Sequence, residues 1–335
     1  MNITVLGAGA FGIALAIMAE KFGHNVTVWT PFQKELADIM TYNEHRLKLP
    51  NVRIPRSIHF SSGLESTEDA DIVIFGVPSD VTRKVAWQAK SHIPKSAIVI
   101  NTSKGFEKGS LKRMSEVIFE ELQQPIVALS GPSHAEEVAR GVPTSVVVAC
   151  TDNSIAKLAQ SALNNKEFRV YRNNDVIGCE LGGALKNIIA IGVGICDGLS
   201  YGDNTKAALI TRGLAEITRL GIAMGAKHET FAGLTGIGDL NVTCYSMHSR
   251  NRRAGILIGT GNFSATEAVE KIGTVEGFFC CKATIELIEK YKVSMPITTQ
   301  IYEILFNNKP PRSALETLMS RPSNDNESEY LSAYL

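Results

Sequence analysis

Short apolar runs of strand length recur through the first half of the chain, with segments of helical character between most of them. The first run, at residues 2–6, leads into a glycine-rich turn, an apolar helical segment at 13–22 and a second strand at 26–29. Further runs are at 72–77, 97–101, 126–130 and 144–149. Because strands buried on both faces read as uninterrupted apolar runs, the pattern predicts the α/β class, with a doubly wound and mainly parallel sheet.

The pattern changes after about residue 171 to longer segments with a period of 3.6 residues. One such helical stripe is formed by Ala207, Ile210, Leu214, Ile217 and Leu220. A hydroxyl residue followed by a carboxylate three positions later predicts helix starts at Ser264 and Ser313. The second half is therefore expected to be all helical.

A chain of 335 residues exceeds the size at which one hydrophobic core usually stops growing, so two domains are expected. The change of pattern places an α/β domain at residues 1–178 and a helical domain at 179–320. Residues 321–335 are rich in Ser, Asn, Asp and Glu and form a candidate flexible tail.

Charge and cysteine content argue against several classes of function. Lys plus Arg equals Asp plus Glu at 34 each, so no overall field draws the protein to nucleic acid or to an anionic membrane. The apolar stretch at 3–19 lacks the basic flank of a signal peptide, and the run at 188–196 is too short to span a bilayer. The six cysteines lack zinc-site or CxxC spacing. We expect a cytoplasmic protein without metal, nucleic-acid partner or membrane insertion.

Residues 7–12 have the sequence Gly-Ala-Gly-Ala-Phe-Gly and lie between the first strand and the first helix. In a nucleotide-binding turn, Gly7 allows the tight turn, Gly9 lets the backbone approach a pyrophosphate, and Gly12 lets the helix pack closely on the sheet. The pyrophosphate then lies at the helix N-terminus, whose free N–H groups favour an anion. We predict dinucleotide binding; the alternatives are a glycine-rich turn without ligand and a methyltransferase-type nucleotide site.

The coenzyme preference stays open. An NAD site places an acidic residue near the end of the second strand to bind the ribose hydroxyls, but the chain has Trp29, Thr30 and Pro31 there. No arginine for a 2′-phosphate follows that strand either. The expected cofactor is therefore NAD or NADP.

Two lysines are candidates for proton transfer. Lys186, with Asn187, interrupts an apolar helical segment whose glycines imply close packing of a neighbouring helix or of the cofactor. Such a lysine either extends to water or is partly desolvated, and desolvation lowers a lysine's pKa toward the range useful in catalysis. Lys104 follows a predicted strand, where ligands bind in open α/β sheets. An ordinary surface or loop lysine is the alternative for each.

Polar residues later in the chain suggest a phosphate. Arg250 and Asn251 form a donor set suited to phosphate oxygens, because guanidinium geometry matches an oxygen fork. Asp239 is suited to orienting a lysine by a charge-assisted hydrogen bond. A solvated basic face and a helix-capping aspartate are the alternatives. The segment 130–137 is either an anion cradle or a structural turn.

Six motifs resemble, in order and approximate spacing, the signature blocks of the glycerol-3-phosphate dehydrogenases. They are Gly7-Ala-Gly-Ala-Phe-Gly12, Ser103-Lys-Gly105, Ser130-Gly-Pro-Ser133, Ala184-Leu-Lys-Asn187, Gly236-Ile-Gly-Asp-Leu240 and Arg250-Asn251. The resemblance covers nearly the whole chain. It implies a Rossmann domain followed by a helical domain, and reversible NAD(P)H-dependent reduction of dihydroxyacetone phosphate to sn-glycerol 3-phosphate, which supplies glycerophospholipid synthesis.

The resemblance also implies roles for individual residues. The catalytic set is Lys186, as general acid/base, with Asp239 and Lys104. The cofactor contacts are Gly7, Gly9, Ala10, Phe11, Gly12, Lys104, Ala135, Arg250, Thr274 and Glu276. The substrate contacts are Lys104, Gly131, Ser133, Lys186, Asp239, Ser249, Arg250 and Asn251. The partner is then a small phosphorylated substrate, and the expected assembly is a homodimer.

The chain departs from many bacterial relatives at Thr30-Pro31, where a basic residue or histidine is common, and at Ser246-Met-His248. Two other functions stay open. A β-hydroxyacid dehydrogenase has a similar fold and helix lysine but a substrate without phosphate. A dinucleotide-sensing regulator binds NAD(H) without turnover.

Overall fold

The computed structural model describes residues 1–322. The described chain divides into two compact units. The first contains Met1–Glu107 and Lys112–Val176, and the second contains Lys108–Leu111 and the chain from Ile177 onward. Except for residues 321 and 322, the candidate flexible tail at 321–335 lies outside the described residues.

An eight-stranded sheet forms the centre of the first unit, within the described residues. Its strands are β1 (Asn2–Leu6), β2 (Asn25–Trp29), β5 (His59–Ser61), β6 (Ile72–Phe75), β7 (Ile98–Asn101), β8 (Ile126–Ser130), β9 (Thr144–Ala149) and β10 (Phe168–Asn173); β3 (Glu44–His45) and β4 (Leu49–Arg53) form a separate antiparallel pair. The order across the sheet is β10-β9-β8-β7-β6-β1-β2-β5. Neighbouring strands are parallel except β8 and β9, which confirms the predicted doubly wound, mainly parallel sheet.

Helices cover both faces of this sheet. They are α1 (Ala10–Lys21), α2 (Gln33–Tyr42), α3 (Thr82–Ala89), α4 (Met114–Leu122), α5 (Ala135–Ala139) and α6 (Asn153–Leu163), with 3-10 turns at Leu64–Thr67 and Ser79–Val81. Ile72 and Ile74 point into one core cluster, whereas Val73 and Phe75 point into another. Burial on both faces is why the central strands read as continuous apolar runs.

The strands that sequence analysis missed are short or lie at an edge of the sheet. β10 alternates buried Phe168 and Val170 with exposed Arg169 and Tyr171, so it lacks a continuous apolar run. β5 has three residues, none of them fully buried. An edge strand has a neighbour on one side only, and its sequence carries a correspondingly weaker hydrophobic signal.

The described part of the second unit from Ile177 contains helices and no strand. They are α7 (Val176–Gly198), α8 (Asp203–Ala223), α9 (His228–Phe231), α10 (Asp239–Tyr245), α11 (Arg250–Gly259), α12 (Ala265–Ile272), α13 (Glu276–Tyr291), α14 (Pro296–Phe306) and α15 (Pro311–Met319), with a π-helical turn at Leu234–Gly238. The predicted helical character of the second half is confirmed.

One of the two predicted helix starts is correct. Ser264 caps α12, and the Glu267 carboxylate accepts a hydrogen bond from the Ser264 backbone N–H at 2.8 Å. The prediction at Ser313 is wrong, because α15 already begins at Pro311 and Ser313 lies inside its first turn. A proline at the first helical position has the required φ angle and lacks the N–H that would go unpaired, so it starts the helix earlier.

Helix α7 is longer than the apolar run at 188–196 suggested. It has 23 residues and, by length and composition, is the one helix within the described residues that could cross a membrane. However, 89% of its most apolar 18-residue window is buried inside the protein. Such burial is typical of a core helix.

Helices α7 and α11 cross at very short range, which explains several of the glycines in α7. A Cβ on Gly194 would overlap the carbonyl oxygen of Arg252, and a Cβ on Gly255 would overlap that of Ile191. Gly198 and Gly259 meet in the same way one turn further along. At these positions the close packing that the glycines imply comes from a neighbouring helix.

Gly255→Ala is expected to lower the free energy of unfolding by about 1–3 kcal/mol, because the added Cβ meets a backbone carbonyl that cannot move aside cheaply. Urea denaturation measures the change. Gly202→Ala is the matched control, since Gly202 has a φ of −75° and no atom within 4 Å of an added Cβ. Equal stability of the two variants would contradict the account of the helix crossing.

Candidate active site

In the first unit, polar and glycine-rich segments lie side by side at the carboxyl ends of the central strands. Strands β1, β6, β7 and β8 are adjacent and parallel, so the residues that follow them lie side by side. These are Gly7–Gly12 after β1, Gly76 after β6, Ser103 and Lys104 after β7, and Gly131 to Ser133 after β8. β1 has β2 on one side and β6 on the other. The carboxyl end of β1 is therefore at the topological switch point, where open α/β sheets bind ligands.

The three glycines of the first turn are required for different reasons. Gly7 has a φ of +116°, and a Cβ there would lie 2.8 Å from the carbonyl oxygen of Gly76. A Cβ on Gly12 would overlap the carbonyl oxygen of Gly7. Gly9 has a φ of −71°, and a Cβ there would have only an ordinary contact, at 3.6 Å from the Gly76 oxygen. Protein packing therefore demands glycine at 7 and 12 but not at 9.

The open space at Gly9 agrees with the predicted approach of a pyrophosphate to the backbone. Gly9 is the N-cap of α1, and the predicted contacts Ala10 and Phe11 form the first turn of that helix. Free N–H groups at a helix N-terminus favour a pyrophosphate, which would occupy the space that a side chain on Gly9 would fill. The hydroxyl of Ser130, at the end of β8, is buried without a hydrogen-bond partner among the described residues, as a polar group completed by a ligand would be.

The end of β2 has a carboxylate that sequence analysis missed. Buried Thr30 donates a hydrogen bond to Glu35 at 2.7 Å, and Glu35 is also bonded to Lys48 at 2.5 Å and His45 at 3.0 Å. Burial raises the pKa of Glu35, but the hydrogen bonds from His45, Lys48 and Thr30 outweigh it and lower the pKa to about 2. Glu35 belongs to α2, so no sequence position beside the strand indicated it.

Lys104, Gly131 and Ser133 come together at the ends of β7 and β8. The Asn101 side chain closes the turn after β7 by accepting a hydrogen bond from the Ser103 N–H at 3.1 Å. The Lys104 ammonium donates to the carbonyl oxygen of Gly131 at 3.3 Å, and the Ser133 hydroxyl donates to the same oxygen at 3.0 Å. Ala135, at the start of α5, is 8% exposed.

In the second unit, Lys186 is buried in α7 and does not extend to water. Its Nζ donates to Asp239 Oδ1 at 2.5 Å and to Thr243 Oγ1 at 2.7 Å. The exposed fractions are 6% for Lys186 and 1% for Asp239. The carboxylate offsets the cost of burying the ammonium, so the pair holds a proton in a largely dehydrated site.

Thr243 is a site residue that sequence analysis did not assign. Its hydroxyl donates to the backbone oxygen of Asp239 at 2.6 Å, so its oxygen is left to accept from Lys186. Asp239 and Thr243 are four residues apart and share a face of α10. This spacing of four residues is the sequence signal from which Thr243 could have been assigned beside Asp239.

Asn251 connects three helices beside Lys186. Its Nδ2 donates to Asn187 Oδ1 on α7 at 2.9 Å, and its Oδ1 accepts from the N–H of Gly277 on α13 at 2.9 Å. The predicted cofactor contacts Thr274 and Glu276 immediately precede Gly277, Thr274 being exposed and Glu276 half-buried. Both of these contacts therefore lie close in sequence to the Asn251 junction.

Of the residues next to Asn251 in sequence, Ser249 and Arg252 have structural roles, whereas Arg250 is available to a ligand. The Ser249 hydroxyl caps α11 by accepting from the Arg252 N–H at 3.2 Å. Arg252 pairs with Asp197 at 2.7 Å. Arg250 is exposed at the first position of α11 and has no ion pair or hydrogen bond within residues 1–322. Of the two arginines, Arg250 is the one available to an anion.

Two sequence models of one protein family together match almost the entire chain. The N-terminus of NAD-dependent glycerol-3-phosphate dehydrogenase matches residues 2–156, and its C-terminus matches residues 175–316. The chain belongs to this family. A glycerol-3-phosphate dehydrogenase (NAD(P)+) of Clostridium acetobutylicum is 49% identical over 98% of this chain and 99% of its own. One from Thermoanaerobacter sp. is 50% identical over 96% of this chain and 97% of its own.

A solved structure supports the same assignment. The crystal structure of glycerol-3-phosphate dehydrogenase from Coxiella burnetii superposes with a TM-score of 0.91, at 38% identity, and covers 96% of this chain and 99% of its own. The resemblance to glycerol-3-phosphate dehydrogenases and the α/β fold with a helical second half are confirmed. The protein is an NAD(P)-dependent oxidoreductase.

Proposed function

We propose that the protein catalyses the reversible NAD(P)H-dependent reduction of dihydroxyacetone phosphate to sn-glycerol 3-phosphate. The observation that carries the proposal is the buried Lys186, held by Asp239 and Thr243 in a chain whose relatives are glycerol-3-phosphate dehydrogenases. Reduction of a ketone needs a proton donor beside the carbonyl oxygen, and a buried ammonium is suited to that task.

In this mechanism the nicotinamide, when bound, supplies the hydride to the carbonyl carbon. The carbonyl π electrons move to oxygen, and Lys186 transfers a proton from Nζ to that oxygen. In the reverse direction the neutral amine of Lys186 accepts the hydroxyl proton. Asp239 and Thr243 orient Nζ throughout, since each accepts one of its hydrogen bonds.

The family resemblance assigns the following residues to the ligands. Gly7, Gly9, Ala10, Phe11 and Gly12 would hold the pyrophosphate end of NAD or NADP. Other cofactor contacts would be Lys104, Ala135, Arg250, Thr274 and Glu276. The substrate would be surrounded by Lys104, Gly131, Ser133, Ser249, Arg250 and Asn251.

The assay is direct: purified protein, NADH or NADPH, and dihydroxyacetone phosphate, followed by the loss of reduced-nicotinamide absorbance. We expect turnover with this substrate and none with 3-keto acids, which a β-hydroxyacid dehydrogenase would reduce. Cofactor binding without turnover on any keto phosphate would instead support a dinucleotide sensor.

Arg250→Ala is expected to raise the KM for dihydroxyacetone phosphate by about 10- to 150-fold, as the loss of a charge-assisted contact of about 1.5–3 kcal/mol implies. The exposed guanidinium, which has no protein partner within the described residues, is suited to a bidentate contact with phosphate. Dihydroxyacetone without phosphate is the control substrate, and the KM for it should change much less, since only the proposed cofactor contact of Arg250 is then lost. An unchanged KM for the phosphorylated substrate would place the phosphate pocket elsewhere.

We further propose that residues 1–178 are the dinucleotide-binding domain and 179–320 the substrate domain. A homodimer in the cytoplasm, with a product that feeds glycerophospholipid synthesis, is proposed from the family resemblance. Light scattering of the purified protein tests the dimer, and a molar mass equal to one chain would contradict it.

A further inference from the structure

Arg83 lies at the centre of a cluster of carboxylates in the first unit. It is the second residue of α3, and its Nε and Nη2 donate hydrogen bonds to the two carboxylate oxygens of Glu107 at 2.5 and 2.9 Å. The same guanidinium reaches Glu121 at 2.8 Å and Glu120 at 2.7 Å, both on α4. One side chain thus ties α3, α4 and the segment that contains Glu107.

Glu107 lies three residues after Lys104, at the end of the loop that follows β7. Its backbone N–H donates to the carbonyl oxygen of Lys112 at 2.9 Å, and the preceding Phe106 forms an antiparallel bridge with Arg113. The start of the loop is fixed separately, since the Ser103 hydroxyl donates to the carbonyl oxygen of Val77 at 2.5 Å. Lys104 therefore lies between one anchor at Ser103 and a second at Glu107.

The Lys104 side chain extends from this anchored loop. One of its hydrogen bonds, to the Gly131 carbonyl oxygen, is 3.3 Å long, and a lysine side chain has a flexible four-carbon stem. The direction of Nζ thus depends on the orientation of the Lys104 backbone. The bidentate pair of Arg83 and Glu107 fixes the orientation of the carboxylate as well as its distance. The single ammonium introduced by Arg83→Lys would fix the distance alone.

We propose that Arg83 is a positioning residue, which acts through Glu107 to keep the Lys104 ammonium at the ends of β7 and β8. The inference rests on the proposed contact of Lys104 with cofactor and substrate. The Arg83 side chain is 35% exposed. Its removal takes away the counter-charge that Glu107, Glu120 and Glu121 share, so Arg83→Met is expected to lower the unfolding temperature as well as to displace Lys104.

The test is a double-mutant cycle of Arg83→Met and Lys104→Met. In the wild-type background, Arg83→Met should lower kcat/KM for dihydroxyacetone phosphate by about 10-fold, since misplacement of a contact by about 1 Å can cost up to 100-fold. In the Lys104→Met background, the same substitution should change kcat/KM by less than about twofold, because the residue it positions is gone. Arg83→Lys should recover only part of the loss, since it keeps the charge without the fork.

Arg46→Met is the matched control. Arg46 pairs with Asp38 at 2.5 Å and is also exposed, but it lies in the segment between β3 and β4 and has no bond to the Lys104 loop. It should retain wild-type kinetics and an unfolding temperature close to that of the wild type.

An equal loss from Arg83→Met in both backgrounds would overturn the proposal, because Arg83 would then act independently of Lys104. Wild-type kinetics in Arg83→Met would overturn it as well. If Lys104→Met alone keeps wild-type kcat/KM and NADH affinity, the contact assigned to Lys104 fails and the inference with it. The proposed reaction would survive that result, since turnover of dihydroxyacetone phosphate is measured in the same assay.

Discussion

Lys186→Met should lower kcat for the reduction of dihydroxyacetone phosphate by about 10²–10⁴-fold, the usual contribution of general acid catalysis. Hydride delivered to the carbonyl carbon leaves negative charge on oxygen, and Lys186 is the proposed source of the neutralising proton. Methionine keeps much of the length and the apolar stem but has no proton to give. NADH binding, followed by fluorescence titration, should persist in the variant.

The single substitution has a side effect that needs its own control. Asp239 is 1% exposed, and Lys186→Met removes the ammonium that offsets its buried charge, which is strongly destabilising. Lys186→Met combined with Asp239→Asn removes that charge. Both variants should show the same loss of kcat, about 10²–10⁴-fold, if the proton comes from Lys186, while the double variant should unfold at a higher temperature than the single one.

Lys104 is the rival proton donor, and Lys104→Met tests it by the same assay. As a contact residue, Lys104 should affect mainly KM and NADH affinity. Near-normal kcat in the Lys186→Met, Asp239→Asn variant would refute the assignment to Lys186. A collapse of kcat in the Lys104 variant alone would transfer the role to Lys104.

Gly9→Val should abolish NADH binding and leave the fold largely intact. Within residues 1–322 and apart from its chain neighbours, the one protein atom within 4 Å of a Cβ at this position is the carbonyl oxygen of Gly76, at 3.6 Å, and the φ of −71° suits any residue. The branched side chain would instead occupy the space assigned to the pyrophosphate at the N-terminus of α1. Isothermal calorimetry with NADH measures the loss of binding, and thermal unfolding measures the stability of the fold.

Gly12→Ala is the informative comparison, because its Cβ would overlap the carbonyl oxygen of Gly7 and push α1 away from the sheet. It should lower both the unfolding temperature and NADH affinity, whereas Gly9→Val should lower the affinity alone. Unchanged NADH affinity in Gly9→Val would remove the basis for the dinucleotide site at this turn.

The central strands and the first turn could be predicted from the sequence because their signals are local. The strands at 126–130 and 144–149 have the predicted bounds, since burial on both faces requires a run of consecutive apolar residues. Gly7 and Gly12 were assigned to a tight turn and to close packing, and the structure shows both. The motif blocks, taken in order, indicated the family before any coordinates did.

The partners of Lys186 depended on the tertiary structure. Asp239 and Thr243 are 53 and 57 residues away from it in sequence, and only the packing of α10 against α7 brings their oxygens to Nζ. The sequence left open whether this lysine extends to water or is buried, because an apolar helix accommodates either. Burial by the surrounding helices decided it.

The same limit applies to two groups of charged side chains in the first unit. The pairing of Glu35 with Thr30, His45 and Lys48, and of Arg83 with Glu107, joins side chains from different elements. Hydrophobic periodicity specifies which face of an element is buried, but it carries no information about which polar side chain of another element will meet it. Those pairings follow from the assembled sheet and helices.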